Sequence, residues 1–165
     1  MRAPLIGKVV LGAVLIGGGS AASAGAATAA KTAEGDFVAA IDFATVDVHP
    51  VGANCRLTVS GVLTFSGTVT GAAEGTTQAL IHAPCSAVAT SDPGTYGDVF
   101  RFEGQFEGEV AGQPVTAELV YAGVTRPGGD IDALIRIRNG VSAVLRADAV
   151  VGRGGSYEGT AVLRR

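Results

Sequence analysis

Apolar and polar residues alternate with period two along most of this chain, the rhythm of half-buried strands. Leu57, Val59, Leu63, Phe65 and Val69 fall on odd positions, with Arg56, Thr58, Ser60, Thr64, Ser66, Thr68 and Thr70 on even ones. A helix would scatter those polar residues around its circumference, whereas a strand sorts them onto one face. Phe100, Phe102, Phe106 and Val110 then alternate with Arg101, Glu103, Gln105, Glu107 and Glu109. The pattern continues through Val115, Ala117, Leu119 and Tyr121, through Ile131, Ala133, Ile135 and Ile137, and through Val141, Ala143, Leu145, Ala147 and Ala149. Tyr157, Ala161 and Leu163 close it. Beyond the first thirty residues no stretch has comparable helical spacing.

Breaks fall at Pro50–Ala53, Gly71–Gly75, Ser91–Gly97, Arg126–Gly129 and Gly152–Gly155, and at two shorter points whose register can be worked out. A two-residue turn at Gly112-Gln113, with Gly first as a type II′ turn requires, sets Val110 opposite Val115 and Phe106 opposite Leu119. It also lays the Tyr121 ring over Gly104 and sets Glu107 against Glu118, a mildly repulsive pair. Around Asn139-Gly140, a two-residue turn would pair Ala133 with Arg146 and mix core with charge on each face. A three-residue loop from Arg138 to Gly140 repairs this, setting Ile137 opposite Val141, Ile135 opposite Ala143 and Asp132 opposite Arg146.

About eight strands joined by mostly short connections read as an all-β, up-and-down antiparallel barrel, with a two-sheet sandwich as the alternative. Closure removes the exposed edges that a long open sheet would present. Gly61, Gly67, Gly104 and Gly108 on the apolar face suit the tight coiling of a small barrel.

The first thirty residues follow another rule. Arg2 and Lys8 precede the uncharged run Val9–Gly18, and Ala22-Ser23-Ala24 supplies a small-residue exit. Residues 1–30 thus form a secretory signal peptide, with cleavage after Ala24, Ala26 or Ala30, and 31–165 form one barrel domain. A retained anchor is the alternative, weakened because Gly, Ser, Ala and Thr from Gly17 onward gain little from burial in hydrocarbon. Without Arg2 and Lys8 the net charge falls from −3 to −5. That balance argues against nucleic acid or an anionic membrane surface as partner. An exported chain permits the disulfide Cys55–Cys85, the only pairing two cysteines allow. A tight turn at Gly71–Gly75 would, however, bring Cys85 closer to Gly61 than to Cys55.

The segment Val150-Val151-Gly152-Arg153-Gly154-Gly155-Ser156-Tyr157-Glu158-Gly159-Thr160-Ala161 resembles the closing hairpin of the allene oxide cyclase and dirigent barrels. Strand order and length also resemble that superfamily, including its uncharacterised bacterial members. Arg153 interrupts the glycine run, and Val162 stands where a small residue would be expected. The resemblance implies an eight-stranded calycin-like barrel, often self-associating into homo-oligomers and sometimes hollow. It transfers no catalytic residue to this chain.

Candidate chemistry is sparse. His49 and His82 stand alone at strand ends, no Ser lies in a nucleophile elbow, and the glycine-rich segments lack a phosphate-binding ending. The scattered His and Cys have no metal-ligand spacing, so neither metal nor cofactor is expected. Glu103, Glu107, Glu109 and Glu118 read as a solvated outer face. More suggestive is the inward set Phe65, Phe100, Phe102, Phe106, Tyr121 and Tyr157, which could line a lumen. A barrel of this size either fills its interior, the simpler expectation, or holds one small apolar ligand. Two roles follow: a secreted, non-enzymatic barrel that binds a small apolar molecule or acts through its surface, and an isomerase or cyclase of the allene oxide cyclase type. No inward titratable residue is read from the alternation, which favours the first.

Overall fold

The computed structural model describes residues 30–163. Eight antiparallel strands follow one another as β1 (Ala30–Val51), β2 (Asn54–Gly67), β3 (Val69–Ile81), β4 (Asp98–Val110), β5 (Gln113–Thr125), β6 (Asp130–Arg138), β7 (Val141–Val150) and β8 (Gly154–Leu163). They close into an up-and-down barrel in which β8 pairs with β1. The alternation read from the sequence is the alternation of the wall: Phe102 and Phe106 are buried, while Glu103, Gln105-flanking Glu107 and Glu109 face water. The sandwich alternative is excluded by that closure. One helical turn, α1 (Cys85–Val88), lies in the β3–β4 connection and has no periodic signature to announce it. The proposed leader lies outside the described residues except for Ala30, which opens β1.

Three expectations about local register are corrected. Between β4 and β5 the turn residues are Ala111 and Gly112, both with positive φ (52° and 79°), so the turn is of the I′ kind rather than II′. Val110 therefore pairs with Gln113, Phe106 with Ala117 and Phe102 with Tyr121. The shift is two residues, so every side chain keeps its face. Glu107 now faces Thr116 and Glu118 faces Gln105, which removes the expected like-charge pair. It is the Phe102 ring, not Tyr121, that covers Gly104: a Cβ there would lie 2.8 Å from that ring.

Between β6 and β7, Asn139 and Gly140 both adopt positive φ (72° and 85°). The β6–β7 ladder ends at Ile137–Ala143, so the connection between paired residues is the five-residue segment 138–142 rather than the expected three-residue loop, and the shift of two keeps every side chain on its face. Ile135 meets Leu145 rather than Ala143, and Asp132 sits opposite Asp148. Arg146 nevertheless reaches Asp132 diagonally at 3.6 Å, and Arg126 holds the other carboxylate oxygen at 3.1 Å.

The third correction concerns Gly71–Gly75, which lies within β3 rather than at a turn. The chain reverses instead at Gly67 and Thr68. Gly71 and Gly75 face Gly108 and Gly104 of β4, and a Cβ at Gly75 would come within 2.6 Å of the Gly104 Cα. These glycines let adjacent strands coil closely; they do not break them. With β3 running on to Ile81 opposite Cys55, Cys85 arrives beside its partner, and the Cys55–Cys85 disulfide forms with Cα atoms 4.8 Å apart.

Candidate functional site

Side-chain size divides the lumen into two halves. One end carries the short β2–β3, β4–β5 and β6–β7 turns. Beneath them the largest fully buried side chains, including Phe106, Leu119, Ile135, Ile137 and Leu145, fill the barrel. Phe65 packs edge-on to both Phe106 and Tyr157 at 6.0 Å. The Tyr157 hydroxyl accepts the backbone N–H of Val69 and donates to the carbonyl of Ser66, both at 2.9 Å, pinning β8 to the β2–β3 turn. This end is a solid floor.

The other half is hollow. Small residues face inward there, among them Ala39, Gly61, Ala79 and Ala149, and they leave a cavity of about 570 Å³. Its wall includes Phe37, Leu63, Phe100, Phe102 and Tyr121. Of the six aromatic residues proposed to line a lumen, Phe100, Phe102 and Tyr121 thus border the cavity. Phe65, Phe106 and Tyr157 belong to the floor. Phe37 was missed because β1 has no clean alternation before Pro50. It stacks on Phe65 at 5.6 Å and meets Tyr121 edge-on at 5.4 Å, so it joins floor and cavity.

Backbone bonds between turns build the rim. Gly128 N–H reaches the Gly94 carbonyl (2.9 Å), Val151 N–H the Gly129 carbonyl (3.0 Å) and Ala39 N–H the Arg153 carbonyl (3.2 Å). The disulfide ties α1 to the start of β2, holding Val88 and Ala89 over the opening. On the β1 side, pairing with β2 is interrupted between Asp42 and Asp47. The resulting bulge is held by Thr45, whose Oγ1 donates to the Asp42 carbonyl and accepts the Ser60 N–H, both at 2.8 Å. Phe43, 62% exposed, and Val46 border the cavity from this bulge, an apolar threshold at its mouth.

Two polar features stand out on this apolar wall. The Tyr121 hydroxyl is buried and has no hydrogen-bond partner among the described residues. Burial pushes its pKa up, so it remains a neutral phenol. Nearer the mouth, Asp98 borders the cavity and accepts a hydrogen bond from Thr125 Oγ1 at 2.9 Å. Burial raises the Asp98 pKa, opposed by the Thr125 bond and by the charge of nearby His82. Asp98 is the inward titratable group that sequence reasoning overlooked, although a signal was present: it shares the parity of Phe100 and Phe102. His82 is exposed, and His49 is exposed and pairs with Asp47 at 2.9 Å. Among the described residues no cluster of three His, Cys, Asp or Glu is placed to hold a metal ion, and no helix is long and apolar enough to cross a membrane.

No family model matches the chain, and no curated protein sequence does. Its fold is similar to the crystal structure of a DUF3224-family protein of unknown function from Shewanella oneidensis, with a TM-score of 0.58 and 15% identity over 83% of this chain and 99% of that one. At that identity the likeness is one of fold alone.

Proposed function

We propose that the barrel binds a small apolar molecule in its hollow half and does so without catalysing a reaction. The observation that carries this reading is the 570 Å³ cavity with apolar walls at one end of an otherwise filled barrel. Its volume falls within the roughly 300–1,000 Å³ of ordinary ligand sites. A core built only for stability would be expected to close around such a void, because empty volume costs stability. Export by a cleaved leader fits the Cys55–Cys85 disulfide, since such bonds persist in oxidising compartments.

Titration with N-phenyl-1-naphthylamine, an uncharged apolar fluorophore, tests the reading. Saturable enhancement is expected, and Ala79→Phe, which places a ring inside the cavity, should abolish it while the protein stays folded. Enhancement that persists in the Ala79→Phe protein would place the dye elsewhere and contradict the proposal.

The allene oxide cyclase type of activity is the second reading, and Asp98 is the observation in its favour. As a general acid or base it would act from the mouth rather than from the floor, with the Thr125 hydroxyl orienting it. Loss of any turnover in an Asp98→Asn protein that still binds the fluorophore would be the mark of that role.

A further inference from the structure

The sign of the charges at the mouth narrows the class of ligand. Among the residues that border the cavity, the charged ones are Asp98 on β4 and Asp92 on the β3–β4 loop; none is Lys or Arg. Asp98 is half-buried and accepts a hydrogen bond from the neutral Thr125 hydroxyl, while nearby His82 is exposed and does not border the cavity. The cations at the same end of the barrel lie outside the cavity. Arg126 is engaged by Asp132 at 3.1 Å, and Arg153 is exposed in the β7–β8 turn. A carboxylate drawn partly out of water with no ion pair to it is costly, and a ligand that brings a cation into contact relieves that cost. An anionic head group would instead meet two like charges where it enters.

Resting on the reading of the cavity as a ligand site, we propose that its ligand is a cationic amphiphile: an apolar body seated among Phe37, Leu63, Phe100 and Tyr121, with a protonated amine at the mouth against Asp98 and Asp92. Fatty-acid-like anions are thereby disfavoured. The apolar threshold of Phe43 and Val46 gives the hydrocarbon portion a path past the rim while the head stays near water.

Competition among three ligands of equal chain length tests this. Decylamine, decanol and decanoate are each titrated at neutral pH and low salt against bound N-phenyl-1-naphthylamine. Because one head group is attracted and another repelled, decylamine should displace the fluorophore at about one-tenth the concentration decanoate needs, with decanol between them. Asp98→Asn should narrow that gap, and adding Asp92→Asn should bring the two charged ligands close to decanol. Equal or better displacement by decanoate in the wild-type protein overturns the cationic assignment while leaving the ligand site standing. So does an amine preference that survives both substitutions. Failure of the fluorophore to bind at all overturns the ligand site itself, and this assignment with it. The wild-type comparison decides the question even if Asp98→Asn does not fold.

Discussion

The Tyr157 hydroxyl on β8 accepts the backbone N–H of Val69 on β3 at 2.9 Å, an interaction spanning 88 residues of sequence that locks the floor of the barrel. The same hydroxyl donates to the Ser66 carbonyl, so its removal leaves two backbone groups without that partner. Tyr157→Phe is expected to cost about 1–3 kcal/mol. Urea unfolding would measure it, and fluorophore binding at the far end should be unchanged.

Tyr121 supplies the opposite case. Its hydroxyl is buried and has no partner among the described residues, so Tyr121→Phe removes an unsatisfied group and disturbs no hydrogen bond among them. The substitution should be neutral or stabilising by about 1 kcal/mol. Comparing the two Tyr→Phe proteins in one unfolding series separates the roles of the two phenols. A Tyr121→Phe loss as large as that of Tyr157→Phe would mean that Tyr121 has a partner.

The disulfide joins Cys55 to Cys85 across a separation of 30 residues and fastens α1 over the mouth. Loop-closure entropy gives it about 3–4 kcal/mol of stabilisation. Replacing both cysteines by Ser should lower the unfolding free energy by that amount. Because the α1 anchor is lost while the floor is untouched, hydrogen exchange should accelerate first in residues 82–97.

Asp98 gives the barrel a pH dependence whose sign can be worked out. Burial, the largest influence, raises its carboxyl pKa above the value in the unfolded chain. The folded state therefore keeps the proton to higher pH than the unfolded chain does. The contribution of this group to stability is full below the ordinary carboxylate pKa and is lost as pH rises through the raised value. Asp98→Asn lacks this loss. Its melting temperature relative to wild type should climb as pH rises from the ordinary carboxylate pKa through the raised one. A gap that shrinks with rising pH would contradict the assignment.

Much of this fold was legible because a strand's period of two is unforgiving. Phe100, Phe102 and Phe106 could not face inward unless Arg101, Glu103 and Glu107 faced out, and the string of short connections then favoured closure. Turn chemistry was legible only to within two residues. Ala111 adopts a positive φ that Gly would occupy more readily, and only the packed barrel selects that register. The in-strand glycines misled for a related reason. Gly71 and Gly75 look like a turn in sequence, yet their role is set by Gly108 and Gly104 across the sheet, more than 25 residues further along. The division into floor and cavity could not be read at all. It depends on which inward residues share a level of the barrel, a property of stagger rather than of alternation. Asp98, by contrast, was readable from its parity, and its polar character concealed it.

The central claim is that the lumen is empty toward the rim and filled toward Tyr157. Xenon pressurisation of crystals of the protein tests it most directly, since xenon occupies dry apolar voids. The account predicts xenon beside Phe37, Leu63 and Phe100, with none between Phe65, Phe106 and Tyr157. A crystal without xenon in the upper half, or with its principal site beneath Tyr157, would contradict it.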